Sequence, residues 1–354
     1  MTMTASFVST QYLASSLVLP VQQAQAQLAA ATTEESTGEY ADVGLQLGDR
    51  SGYELSLKEQ VQELQALTAG NSIVAANLST AQDALSSISA SAQSTAQDLA
   101  TWTASADSGA QLQTMGQSAL QELTASANAT SSGGYVFGGI NTSTAPLADY
   151  FSTPTSAAKS AVDQAFQTAF GCAPTDAAAA NITSSQMQGF LDGPFAALFS
   201  GGAWATDWSS ASSTNTTAGI APGQTATTST NANTPAFQTL AEAYTMLAAF
   251  GGSELSSSAQ QAVASAATSL ITQGQSALTD TQAALGATQS RVTDANSGMS
   301  AQLTMIENQV NALDDVDQNA TAAKITSLTN QIQMAYELTA RLQQLNLAQY
   351  LPVP

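Results

Sequence analysis

Residues 278–313 read LTDTQAALGATQSRVTDANSGMSAQLTMIENQVNAL. Leu278, Leu285, Val292, Met299, Ile306 and Leu313 recur here at every seventh position without a slip, and Leu303 and Val310 fill the half-heptads between. A seven-residue apolar repeat keeps one stripe of an α-helix turned toward a neighbouring helix. The stretch therefore predicts a long helix seated along a second one. A further periodic run follows: Ile325, Leu328, Ile332, Ala335, Thr339 and Leu342, continuing into Leu345, Leu347, Tyr350 and Leu351. The chain is expected to close with a helix whose apolar face needs a cover, from within the chain or from a second copy.

The partner of the long helix is sought upstream. Over residues 56–104, Leu64, Leu67, Asn71, Val74, Leu78, Ala81, Leu85, Ile88, Ala92, Thr95, Leu99 and Trp102 alternate steps of three and four. About fifty helical residues would extend roughly 75 Å, far longer than helices of compact domains. Residues 4–31 carry the same rhythm through Phe7, Thr10, Ala14, Leu17, Val21 and Leu28, and Pro20 predicts a kink or break there. Residues 32–52 are acidic, with Gly38, Gly44, Gly48 and Gly52, and read as a loop or extended crossing segment. Another helix, with Leu112, Met115, Leu120 and Leu123, leads to a glycine-rich break at 131–139. From 140 to 235 Gly, Ser, Thr, Pro, Asn and aromatic residues rise. Helical rhythm there survives in patches such as 156–170, and 201–234 reads as short strands and loops. Helix resumes at Phe237, Leu240, Tyr244, Leu247 and Phe250 and, after Gly251 and Gly252, runs on from 256. The composition change at both borders marks 140–235 as an insertion, and deleting 141–234 should leave the helical rod folded.

Composition narrows the function. Apolar residues make up 44% of the 354, enough for a core, but aromatics are 6% and charged residues 9%. Small Ala, Ser and Thr side chains suit close helix packing while burying little area per residue, so partners are expected to complete the fold. Six Lys and Arg against 26 Asp and Glu leave a net charge of −20, with no basic residue before Arg50. A nucleic-acid binder needs a cationic footprint and an anionic membrane surface repels such a chain, so neither partner is expected. The N-terminus lacks a basic region, a long apolar run and a cleavage site, so export, if any, is expected without a cleavable signal.

Three groups of residues carry a resemblance. The first is Asn128, then GGYVFGG at 133–139, Asn141, Thr142 and Pro146. The second is LGATQSRV at 285–292. The third comprises DDVD at 314–317, QMAYELTARL at 333–342 and LNLAQYL at 345–351. Together they resemble the bacterial flagellin-like family, and within it the members of the hook–filament junction. The likeness covers 56–140 and 236–354 well and the first fifty residues loosely, where Pro20 departs from the family's first helix.

The resemblance implies a structural subunit exported through the flagellar type III channel to the bacterial flagellum, secreted, with help from an export chaperone. Its terminal segments would be disordered when free and form an inner helical tube on assembly. Its partners would be its own copies and neighbouring flagellar subunits, the hook-side junction protein and flagellin. The candidate assembly interface is Phe7, Leu17, Val21, Leu328, Ile332, Tyr336, Leu342, Leu345 and Leu347. The close alternative is flagellin itself, the bulk filament subunit; a further one is a secreted adhesin or helical effector.

Chemistry-bearing residues are few. There is no histidine to activate Cys172, the one cysteine, which reads as a buried or incidental thiol. Asp315, Asp317 and Asn319 open like a calcium loop, but Ala320 and Thr326 stand where the loop needs Gly and Glu. Capping of the next helix is the simpler reading. Asn71, in an apolar stripe, is either a register-fixing polar residue or a tolerated one. The glycines at 133–139 read as a hairpin tip, lacking the Lys and context of a phosphate loop. Asp149, Asp163, Asp176, Asp192 and Asp207 belong to no hydrolase motif. No catalytic, cofactor or metal site is expected.

The fold expected is mainly α: an elongated rod of long antiparallel helices with a smaller inserted α+β or β-rich outer domain. The divisions are a terminal assembly helix and linker at 1–50, helical parts at 51–139 and 236–320 around the insertion at 140–235, and a C-terminal assembly helix at 321–354.

Overall fold

The computed structural model describes residues 10–104, 108–252 and 254–348, with side chains from 18 to 341. The described residues are mostly helical, which makes the fold mainly α, and strands are confined to a small region. The chain divides into two compact units: one from residues 1–63 and 301–354, the other from 64–300.

In the first unit, α1 (Thr10–Thr37) packs against α10 (Gln318–Ala348). Gln25 Nε2 donates to the Tyr336 hydroxyl at 2.7 Å and Lys324 Nζ lies 3.5 Å from Glu34 Oε2. These pairings run in opposite senses along the two helices, so the pair is antiparallel. Helix α1 runs through Pro20 instead of ending there. Proline removes one backbone donor, and the α10 neighbour supplies packing that an isolated helix lacks.

The segment 32–52, expected as a loop or extended crossing segment, is mostly helical. Thr32, Thr33 and Thr37 send their hydroxyls back one turn to the Leu28, Ala29 and Thr33 carbonyls at 2.7, 3.1 and 2.9 Å, which keeps them compatible with helix. Gly38, at φ +79°, then closes α1 in a conformation that favours glycine. Asp42 Oδ1 accepts from Leu45 N at 2.9 Å and caps α2 (Val43–Leu47), followed by a 3₁₀ turn at Gly48–Arg50. The glycines that read as loop residues separate successive short helices.

In the second unit, α3 (Ser51–Thr101) and α9 (Ser257–Asp314) lie antiparallel: Asn71 bonds Asn296, and Gln82 Nε2 donates to the Gln282 carbonyl at 2.8 Å. The α3 stripe is inward, with Leu78, Leu85, Ile88 and Ala92 fully buried. Every seventh-position residue of α9 is buried as well, from Leu278 to Met299 in this unit and at Ile306 and Leu313 in the other. Helix α4 (Gly109–Ala127) packs on α8 (Pro235–Phe250). Gly116 sets the spacing: a Cβ there would lie 2.6 Å from Leu247 Cβ.

Between α4 and α8 come the hairpin β1 (Thr130–Ser131) and β2 (Gly134–Tyr135), then α5 (Ala157–Phe170), α6 (Ser184–Phe190), the single turn α7 (Gly201–Ala203), and the hairpin β3 (Thr217–Ala221) and β4 (Gln224–Thr227). Residues 201–208, expected as strand or loop, are helical turns, because Trp204 and Trp208 recur four apart and both go inside. The apolar side of 140–235 is not separate from the helices around it. Tyr150, Val162, Phe166, Phe190, Phe195 and Trp204 belong to one buried cluster with Phe237, Leu240, Leu247 and Phe250 of α8. Phe250 lies 5.3 Å from Phe166 and 5.7 Å from Phe190, ring centre to ring centre. Deleting 141–234, expected to leave the helices folded, would take these rings away from α8.

Candidate assembly surface

The α1–α10 pair holds the residues singled out for assembly. Steps of three and four place Val21, Ala24, Leu28 and Ala31 on one face of α1, and Thr321, Ile325, Leu328, Ile332, Ala335 and Thr339 on one face of α10. Those faces are the buried or half-buried ones. Ala31 is wholly buried, Leu328 is 6% exposed, and Val21 and Ile332 are half-buried. The expectation that the terminal stripes lack a partner within the chain is thus corrected for the described residues: each helix covers the stripe of the other. Phe7 lies outside the described residues. Leu17 is in α1 and Leu342, Leu345 and Leu347 are in α10, with side chains outside the described set.

What faces outward was missed by reading stripes alone. Val18 and Leu19 on α1 are 53% and 61% exposed, and Met334, Tyr336 and Leu338 on α10 are 60%, 54% and 48% exposed. Of the four predicted interface residues whose side chains are described, Val21, Leu328, Ile332 and Tyr336, only Tyr336 is in this outward set. The signal was available as apolar residues falling out of phase with the stripe, such as Met334 and Leu338 against Leu328 and Ile332. Across the described residues, nine of the eleven exposed large apolar side chains fall in the first unit, Leu45, Tyr53, Leu55 and Met305 among them.

The helix pair is tied to the rest of its unit by a charged junction. Lys58 Nζ contacts Glu54 one turn away and Asp314 Oδ2 at 2.7 Å. Asp314 is 2% exposed and Glu54 8%. The hydrogen bond to Asp314, and next that to Glu54, holds the Lys58 amine well above its usual range. The linkers beside it pair as an antiparallel bridge: Tyr40 N donates to Asp314 O at 2.9 Å and Val316 N to Gly38 O at 2.8 Å. A cation facing two carboxylates, together with two backbone bonds, fixes where α1 ends and α10 begins.

The remaining candidates resolve into structural roles. Asp317 Oδ1 accepts from Asn319 N and Ala320 N at 2.9 and 3.2 Å and caps α10. Among the described residues no group of three or more His, Cys, Asp or Glu is placed to hold a metal ion. Asn71 is fully buried, its Nδ2 donating to the Ile220 carbonyl and to Asn296 Oδ1, both at 2.7 Å. It is a register-fixing residue, binding α3 to β3 and α9. Cys172 is half-buried against the core. Of the 133–139 run, Gly133 lies in the β1–β2 turn, Gly134 and Tyr135 form β2, and Gly139, at φ +62° beyond the hairpin, has no room for a Cβ beside the Ser212 and Thr214 carbonyls. No described helix is long and apolar enough to cross a membrane.

No curated protein matches the sequence. Two family models do: the bacterial flagellin N-terminal helical region over residues 8–142, and the bacterial flagellin C-terminal helical region over 258–351. The two matches take in α1 to the first hairpin and nearly all of α9 and α10, well over half of the chain. The chain belongs to the bacterial flagellin family.

Proposed function

We propose that this flagellin-family subunit is a hook–filament junction protein. It assembles with its own copies and with neighbouring flagellar subunits through the outward side of its α1–α10 pair, and it carries out no catalysis. Export without a cleavable signal peptide and a dedicated chaperone belong to the same proposal, as does 140–235 as the insertion. The family supports the coarser statement by itself: a structural subunit that self-assembles into the flagellum. The observation that carries the role of the helix pair is the concentration of exposed apolar side chains in the unit that holds it. The likeness of LNLAQYL at 345–351 to junction proteins favours that member over bulk flagellin.

The test uses Met334→Ser with Leu338→Ser in the full chain. Burying a Met or Leu side chain contributes about 1.5–3 kcal/mol, so the doubly altered subunit should need more than about tenfold higher concentration to assemble. Its thermal melt as a dilute monomer should match wild type. Sedimentation gives the first quantity and circular dichroism the second. Assembly at the wild-type concentration would remove the outward face from the mechanism. Long filaments from purified wild-type chain on salting-out, seen by electron microscopy, would select bulk flagellin instead.

A further inference from the structure

The second unit carries an open cleft of about 580 Å³ where α4, α5 and the end of α8 meet, a volume in the range of ligand sites. Gln113 and Gln117 line it from α4, Gln164 and Gln167 from α5. Residues three or four apart on a helix present their side chains about 5–6 Å from one another on one face. None of these four side-chain amides hydrogen-bonds to another described residue; that of Gln113 packs against Gly252, and the other three keep both donors and acceptors for a ligand. The phenol of the buried Tyr150 lines the same cleft, its titration pushed up first by burial and then by the nearby Asp163 carboxylate. Phe151, Ala173, Pro174, Ala248 and Ala249 supply an apolar flank.

The charge present is cancelled. Lys159 Nζ bonds Asp163 Oδ2 at 2.8 Å within α5. An anionic ligand would meet a chain of net charge −20, and a cation would find a single carboxylate already paired. Groups that each donate and accept, next to aromatic and alkyl faces without net charge, fit a molecule that alternates hydroxyl pairs with C–H faces. We propose that this cleft binds a short neutral oligosaccharide. Nothing in the assembly reading requires such a site, so the two stand or fall separately.

Saturation-transfer NMR and titration calorimetry of the full chain with maltotriose and chitotriose test it, with trigalacturonate as the anionic control. One saturable site for a neutral sugar is expected. Gln113→Ala with Gln117→Ala should weaken it at least about tenfold, the equivalent of about 1.4 kcal/mol. Gln164→Ala with Gln167→Ala, on the exposed side of α5, should do the same with an unchanged melt, which separates lost contacts from lost fold. The proposal is overturned by no saturable signal from either neutral sugar, by affinity unchanged in both double variants, or by trigalacturonate binding as tightly.

Discussion

The two units use the same kinds of residue in opposite ways. Residues 64–300 place nearly all their large apolar side chains inside, and among the described residues every close pair of aromatic rings lies there, between Phe137 and Phe250. Among the described residues, 1–63 and 301–354 bury only Ala31, Leu57, Ile306, Leu313 and Leu328 as core, while leaving nine large apolar residues in water. The first unit has enough apolar contact to define a helix pair, and its surplus is presented outward, where a family that assembles can use it. The second unit is finished by itself.

The contrast predicts where substitutions register. Phe166 is fully buried and its ring lies 4.7 to 5.6 Å from those of Phe170, Phe190 and Phe250. Phe166→Ala should lower the stability of the dilute monomer by about 3–5 kcal/mol, seen as a shift of the urea midpoint. A loss under about 1 kcal/mol would mean that the aromatic cluster is not what completes this unit, and the comparison would break at its stronger side.

In the first unit the sensitive position is a charge instead of a ring. Lys58→Met leaves Glu54 and the buried Asp314 facing each other without a cation. Breaking such a pair costs about 3–5 kcal/mol when fully buried. Lys58 is 44% exposed, and solvent reduces the figure to roughly 1–3 kcal/mol. The effect should appear as faster proteolysis between 38 and 42, where the linkers pair, before any change in the aromatic core's near-ultraviolet signal. Equal protease resistance in variant and wild type would show that the backbone bridge alone holds the linkers.

How much of this was legible follows from what periodicity can report. The seven-spaced series from Leu278 to Leu313 and the Leu64–Trp102 stripe were readable because one helix facing another leaves a repeating mark, and both went inside. The cap at Asp317 and the hairpin turn at Gly133 were readable because few residues do those jobs, although the rest of the 133–139 run is strand β2 and the segment beyond it. Three things were not. Helix through 32–37 was hidden by Thr and Ser, whose preference depends on where the hydroxyl bonds. The helical turn of Trp204 and Trp208 was hidden in a Ser- and Thr-rich neighbourhood, being too short to show a period. The covering of the α10 stripe by α1 was hidden because a stripe announces that it is buried, not by what. Reading the stripe as the assembly face put Leu328 and Ile332 outward, whereas Met334 and Leu338, out of phase, are the exposed pair.

The smallest effect expected concerns pH in the second unit, where nearly everything inside is apolar and Glu242 on α8 is half-buried. Burial, and next the charge of Asp192, raises its carboxyl from the ordinary 4.5 to about 7. A folded state that holds its proton more tightly than the unfolded chain is favoured at low pH. This group's contribution is therefore complete below about 4.5 and is lost as pH rises to about 7; above that window it is constant. A tenfold change in proton affinity corresponds to about 1.4 kcal/mol, and the partial exposure of Glu242 reduces the whole effect to roughly 1–2 kcal/mol. Glu242→Gln keeps the shape and removes the titration. It should leave stability near pH 4.5 almost unchanged, raise it by that amount above pH 7, and flatten the wild-type decline between. Urea midpoints at half-unit pH steps measure this directly. A parallel decline in wild type and variant would assign the slope to other carboxylates and leave the second unit, like its aromatic rings, indifferent to pH.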